Sequence, residues 1–338
     1  MTRQGESGNC NNKKERLALR VFFLSLLFAI ICVNTAPAAE TYPARPVRLI
    51  VPFPAGGIAD LSGRLIAQGL QEKFKQPFVV ENKPGGQGVI GFHDMMKAAP
   101  DGYTLMMGTV GSVVINIVMD RQPPFDPLHD LAPIANAAEY ATALVVNNAM
   151  PVNSVKEFVD YAKARPGKLT FGSTGIGALD YTAAQLLMKE AGIKMLHVPF
   201  KGGPEALNSL MGGSIDSITE VFPVVMGQIK AHTIKGLAVT SPYRQPTLPD
   251  LPTFKEAGFP GVELTGWLGL YGPPKMPEDI RQMLGKAVVD IVKQPAMAQR
   301  FRAIGFEPTG QDANAFAAYH AAEVVRWKKF VSEIGMNK

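Results

Sequence analysis

Two stretches of the chain alternate short β-rich runs with longer segments whose apolar residues recur every three or four positions. In the first, Val47–Val51 reads as a strand, Ile58–Lys75 as a helix, Phe78–Val80 as a strand, Val89–Ala98 as a helix and Thr104–Met107 as a strand. The rhythm returns with strands at Leu169–Phe171, Met195–Val198, Ser217–Thr219 and Gly236–Val239. Helices are predicted at Asp180–Ala191 (ended by Gly192), at Pro204–Met211 and near Pro223–Lys230. Apolar strands separated by helices point to mostly parallel sheets covered on both faces, in two α/β lobes. Between the lobes, Ser154-Val155-Lys156-Glu157 is a capping box opening a helix that stops before Pro166-Gly167.

Beyond Val262–Tyr271, which reads as a long strand, the pattern is helical. Pro277 opens a helix with Ile280, Leu284, Val288 and Ile291 on one face. The last helix, Ala313–Ile334, carries Phe316, His320, Glu323, Trp327 and Val331 at spacings of three and four. That stripe is expected to dock on its own domain.

The amino-terminal segment belongs to neither lobe. Lys13, Lys14, Arg16 and Arg20 precede an apolar run from Val21 to Val33, followed by Ala36-Pro37-Ala38. A basic region, a short apolar core and an A-x-A site read as a cleaved signal peptide over residues 1–38, so the protein is expected to be exported. The run is too short for a membrane span, and Ile31 before Cys32 does not suit a lipoprotein site. Removing 1–38 takes five basic and two acidic residues, so the formal charge falls from +5 to +2. Overall basicity is therefore no argument for nucleic acid. Both cysteines, Cys10 and Cys32, leave with the leader, which excludes disulfides and thiolate chemistry. At 46% hydrophobic and 19% charged, the 338-residue chain is globular, with two domains the default at its length.

Motifs for catalysis are missing. Gly86-Gln87-Gly88-Val89-Ile90-Gly91 fits G-x-G-x-x-G, yet no carboxylate follows about 20 residues on, so a structural turn is expected rather than a dinucleotide site. There is no phosphate loop or nucleophile elbow, and the five histidines (His93, His129, His197, His232, His320) lack ligand spacing. No cofactor and no metal are expected. Three strand-to-helix loops carry more information: Pro52-Phe53-Pro54-Ala55-Gly56-Gly57, Gly108-Thr109-Val110-Gly111-Ser112 and Gly172-Ser173-Thr174-Gly175-Ile176-Gly177-Ala178. Glycines let backbone amides converge where a helix begins, and the helix dipole adds positive potential for a carboxylate. Each alone is a common tight turn. Their recurrence at the carboxyl ends of strands, where open α/β sheets bind ligands, points to a cleft between the lobes.

At these loops the chain resembles the tripartite tricarboxylate transporter substrate-binding (Bug, or TctC-like) proteins. The resemblance rests on Tyr42-Pro43-Ala44-Arg45-Pro46-Val47 leading into Pro52–Gly57, on Val80-Glu81-Asn82-Lys83-Pro84-Gly85-Gly86, and on Pro100-Asp101-Gly102-Tyr103-Thr104. It continues through His197-Val198-Pro199-Phe200-Lys201-Gly202-Gly203, Leu248-Pro249-Asp250-Leu251-Pro252-Thr253 and Glu256-Ala257-Gly258-Phe259-Pro260-Gly261. It implies a two-domain flytrap of the periplasmic binding protein type. One domain would combine residues 41–140 with 262–338, and the other would span 141–261.

The resemblance further implies a small carboxylate bound in the interdomain cleft and delivered to inner-membrane transporter subunits by a monomer, with a sensory role on the same scaffold as the alternative and an exported enzyme as the less favoured class. Phe53, Ala55, Gly56, Gly57 and Asp60 would form the first anion loop, and Ser173, Thr174, Gly175 and Gly177 the second, with Ser112 beside them. Three departures stand out: Ile58 where relatives often have a small polar residue, Ala178 and Leu179 where a hydroxyl is common, and Tyr181 in place of His. Glu220 aligns with an aspartate found in amino-acid binders. Fewer hydroxyls at the cleft suggest a carboxylate with an aliphatic or aromatic body, contacted by Trp267.

Overall fold

The computed structural model describes residues 42–120 and 122–334, so the leader expected over 1–38 lies outside the described residues. The chain divides into two compact units, Met1–Ala44 and Arg45–Lys338. Only residues 42–44 of the first unit are described, and every element below belongs to the second.

The elements run β1 (Val47–Val51), α1 (Ile58–Phe74), β2 (Phe78–Asn82), α2 (Val89–Met96), β3 (Thr104–Thr109), α3 (Asn116–Met119) and β4 (Ala132–Asn147). They continue with α4 (Val155–Lys163), β5 (Thr170–Ser173), α5 (Leu179–Ala191), β6 (Leu196–Pro199), α6 (Gly203–Met211), β7 (Ser217–Val221), α7 (Phe222–Lys230) and β8 (Ile234–Val239). The chain closes with β9 (Thr265–Gly272), α8 (Glu278–Val292), α9 (Pro295–Ala303), β10 (Glu307–Gln311) and α10 (Ala313–Ile334). Helix ends follow local chemistry: Gly192 takes a left-handed φ of 64° after α5, and Pro295 sits in the first turn of α9.

The strands form two groups joined through β4. Residues 132–141 pair with β9, and Asn136, Ala138 and Glu139 also pair with β10, while residues 142–147 pair with β7 and β8. In the first group β1 lies between β2 and β3, parallel to both; in the second β5 lies between β6 and β7, again parallel. β9 is antiparallel to β3 and β4, and β4 is antiparallel to β7 and β8. Each group is therefore mixed rather than mostly parallel. The returning strand and the shared strand run against the βαβ units they close.

The structure departs from the pattern in three further places. β4 is the longest strand, at 16 residues, yet its six alanines show neither alternation nor β-branched enrichment in the first half. Two register shifts, at Pro133/Ala135 and Asn136/Ala138, bend it as it passes from one partner set to the other. The region after β9 is not all helical, since β10 pairs with β4. A π-turn at Gly111–Ile115 precedes α3.

The apolar stripe of α10 docks as its spacing predicts: Phe316, His320, Glu323, Trp327 and Val331 are all buried. It covers Trp267 and Tyr271 of β9, with Phe316 edge-on to Trp267 at 5.4 Å. Polar atoms in this cluster are paired. Nε2 of His320 lies 2.9 Å from the Pro127 carbonyl, which only accepts, so Nε2 carries the proton and Nδ1 accepts from the Tyr271 hydroxyl at 3.0 Å. Glu323 Oε2 accepts from both indoles, Trp267 and Trp327. The second core, around β7, β4 and β8, is filled by Ile218, Phe222, Val225, Leu207, Leu210 and Val145.

Two stability predictions follow from this packing. Ser154 Oγ accepts the Glu157 amide at 3.2 Å while Glu157 reaches back to the Asn153 amide, so Ser154→Ala is expected to lower unfolding free energy by about 1 kcal/mol in urea titration. Burial depresses His320 to about 4 from the usual 6.5. The unfolded chain therefore takes up the proton first, and the neutral form's contribution is lost as pH falls through that window. Urea midpoints measured across it should fall less steeply in His320→Gln than in wild type.

Candidate ligand-binding site

A cavity of about 760 Å³, counted out to its mouth, opens where the carboxyl ends of both sets of parallel strands meet. Each of the six parallel strands delivers its following loop to the wall. The loop after β1 supplies Phe53, Pro54, Gly57 and Ile58; the one after β2 supplies Gln87; the one after β3 supplies Thr109, Gly111, Ser112 and Asn116. From the second group come Thr174, Gly177, Ala178, Leu179 and Asp180 after β5, then Gly202, Gly203 and Pro204 after β6. Glu220, Val221 and Val224 follow from the end of β7, and Tyr140 reaches in from β4. Among the lining residues there is no Lys, Arg or His.

The loop before α1 is held open by its own aspartate. Gly56 adopts φ 82°, a conformation suited to glycine, and its amide donates to Asp60 Oδ2 at 3.0 Å. Asp60 also accepts from Asn82 Nδ2 and pairs with Arg64 at 2.9 Å. Burial alone would raise its pKa, but Arg64, the Gly56 amide and Asn82 together hold it below the usual carboxylate value. The amides of Asp60 and Leu61 both bond the Gly57 carbonyl. Those of Ile58 and Ala59, the first two of the helix, have no intrahelical acceptor.

The loop before α5 repeats the device. Asp180 accepts from the Thr174 amide at 2.6 Å, from Thr174 Oγ1 at 3.0 Å and from the Tyr181 amide at 2.9 Å. Gly177, at φ 94°, lies against Asn116, where a Cβ would come within 3.1 Å of the Asn116 backbone. Gln87 Nε2 donates to the Ile176 carbonyl at 2.9 Å, so loops from the two strand groups touch at the cavity rim. Thr109 and Ser112 bond one another reciprocally through side chain and backbone, and the Tyr140 hydroxyl bonds Thr109.

Glu220 is 1% exposed. Its Oε1 accepts the Val221 amide at 2.8 Å, while Oε2 is buried without a partner among the described residues. Gly203 packs against this carboxyl, with a Cβ there falling 2.7 Å from Cδ. Burial, then the neighbouring Asp180 charge, raises Glu220 well above the usual range. Asp180 is also raised by burial, but its three donors work against that, and Glu220 has only one. Glu220 therefore retains its proton the longer of the two.

Of the residues expected to form the site, Phe53, Gly57, Ile58, Ser112, Thr174, Gly177, Ala178 and Glu220 line the cavity. Ala55 and Gly56 lie at the exposed loop tip, and Gly175 sits beneath Gln87. Asp60 and Ser173 point into their loops: Ser173 Oγ receives the Gly175 amide and bonds His197 Nε2 at 2.7 Å. Trp267 corrects the expectation. It is wholly buried under α10 with its indole N–H on Glu323, and so meets protein on all sides rather than the cavity. Tyr140 and Asn116 carried no sequence signal, because the missed strand β4 and the π-turn position them. Gln87 lay in the turn read as structural. Among the described residues, no group of three or more His, Cys, Asp or Glu is placed to hold a metal ion, and no helix is long and apolar enough to cross a membrane.

Comparison with known proteins gives consistent matches. The chain is 29% identical to Protein BugT of Bordetella pertussis over 92% of this chain and 96% of that one. It superposes with a TM-score of 0.84 on R. palustris Rpa4515 with adipate, at 33% identity, covering 87% of this chain and 98% of that one. The periplasmic binding protein BugD gives a TM-score of 0.82 at 31% identity, covering 88% of this chain and all of that one. The α/β architecture is accordingly that of a two-lobed periplasmic binding protein. Residues 63–336 match the model of the tripartite tricarboxylate transporter family receptor, and the chain belongs to that family.

Proposed function

We propose that this protein captures a small carboxylate with an apolar body in the cavity between two lobes, residues 41–140 with 262–338 and residues 141–261. The convergence of strand-to-helix junctions on a cavity without a single cationic side chain carries this reading. A carboxylate placed there meets helix amides without intrahelical acceptors, such as those of Ile58 and Ala59, in the positive end of the dipole. Phe53, Pro54, Ile58, Leu179, Pro204, Val221 and Val224 offer the rest of the ligand an apolar wall. The adipate held by the Rpa4515 protein is of this class, an aliphatic chain ending in carboxylates.

Charge-assisted hydrogen bonds contribute roughly 1.5–3 kcal/mol each. A micromolar site needs about 8 kcal/mol net, within reach of a few amides plus apolar contact. Since the donors come from both lobes, only the closed form makes every contact, and the ligand shifts the population toward closure. In this reading the leader over 1–38 is cleaved, the mature monomer works in the periplasm, and the loaded closed form is delivered to inner-membrane transporter subunits.

The experiment is calorimetry and thermal shift of the mature chain, residues 39–338, against small carboxylates, amines and neutral analogues. A saturating carboxylate at 100 times its Kd should add about 2.7 kcal/mol of stability. Binding of amines or neutral analogues, with no carboxylate bound, would overturn the proposal. A sharper prediction concerns Ile58, the first residue of α1. Proline there suits the helix start and the extended Gly57 before it, at φ −79° and ψ 171°, while deleting one amide. Ile58→Pro should weaken carboxylate binding about tenfold or more relative to Ile58→Ala, with the melting temperature close to wild type.

A further inference from the structure

The proposed site contains one feature that a carboxylate on helix amides does not use. Glu220 Oε2 is buried in the cavity wall with no partner among the described residues. No Lys, Arg or His lines the cavity to neutralise it, and the other acid there, Asp180, already accepts three hydrogen bonds. We propose that Glu220 sets the specificity of the site: it meets the solute as a neutral carboxylic acid and donates its single O–H to an oxygen on the solute, so the site selects carboxylates bearing a second oxygen function. This rests on the carboxylate reading above.

The surroundings favour a neutral acid. Glu220 is 1% exposed, Gly203 is packed against the carboxyl, and Val221, Val224 and Pro204 also line the cavity. The titratable groups facing it are Asp180 from α5 and Tyr140 from β4, and neither brings a positive charge. Lys201 and Glu205 at the start of α6 and Lys230 at the end of α7 are exposed to solvent. Burial and the Asp180 charge both favour the protonated form, in agreement with the raised pKa. An ammonium is the alternative occupant, and it fits less well. It brings three donors, whereas Oε2 is the one buried side-chain acceptor without a partner in this wall. Thr109 and Ser112 already bond each other, and Thr174 bonds Asp180. One O–H matches one oxygen acceptor.

The test uses the mature protein and matched four- and six-carbon sets: a dicarboxylate, an ω-hydroxy acid, an unsubstituted acid and an ω-amino acid. At a pH of about 6 the members with a second oxygen should bind about tenfold tighter than the unsubstituted acid. That preference should shrink as pH rises through the raised Glu220 value. Glu220→Gln keeps an N–H donor, so it should keep the preference and lose its pH dependence. Glu220→Met, which has no donor, should erase the preference, so that oxygen-bearing and unsubstituted acids bind alike. In the ligand-free protein, stability should fall as pH rises above about 4.5, because the folded state holds the proton longer, and Glu220→Gln should flatten that fall. Tightest binding of the ω-amino acids, lost in Glu220→Gln, would overturn the inference while leaving the carboxylate reading intact. Equal binding of unsubstituted and oxygen-bearing acids would do the same. Failure of all four classes to bind would overturn both.

Discussion

The architecture depends on one geometric constraint: parallel strands joined by crossover helices must deliver every strand-to-helix junction to the same edge of the sheet. β1, β2 and β3 do so in one group, and β5, β6 and β7 in the other. β4 passes from the first group to the second, pairing with β9 and then with β7 and β8. The two edges thereby face one cavity. Six helix or turn starts then surround it, so the positive ends of helix dipoles, rather than cationic side chains, face it. A cavity so built has no need of arginine or lysine, and among the described residues none lines it.

Backbone amides are useful to a ligand only if the loops presenting them are rigid, and the protein spends two buried aspartates on that task. Asp60 ties Gly56, Asn82 and Arg64; Asp180 ties Thr174 and Tyr181. Asp60 satisfies an amide within its own loop and leaves those of Ile58 and Ala59 without an intrahelical acceptor, whereas Asp180 ties the Thr174 amide of the loop to the Tyr181 amide in the first turn of the helix. The acids assigned by resemblance to ligand contact are thus divided by geometry. Asp60 organises a loop, and Glu220, with an unpartnered oxygen, is the one facing the cavity.

How much of this the sequence made legible differs by element. β1 and α10 match their predicted bounds, because the β-branched Val47, Ile50 and Val51 in so short a run and the spacing of Phe316, His320, Glu323, Trp327 and Val331 are local signals. β4 was not legible. Its alanines fit a strand crowded by neighbours on both sides, and that crowding comes from distant parts of the chain. Tyr140, on β4, was lost to the reading for the same reason. Trp267 was misplaced because a lone tryptophan on a strand looks alike whether it faces a cleft or the underside of a helix, and only the docking of α10 decides.

What the sequence determined by itself is what one segment can encode: which runs are strands and helices, where glycine and proline shape the turns, and where acids sit in the first turn of a helix. These depend on φ/ψ preferences and on neighbours within a few residues. Tertiary structure alone decided which loops share a wall, that Glu220 is left with one oxygen unpaired beside Asp180, and that Gln87 reaches the Ile176 carbonyl across the rim. Those relations join residues tens to about a hundred positions apart. They exist only once the strands have paired, since burial, charge proximity and hydrogen-bond partners are properties of the packed chain and not of its segments.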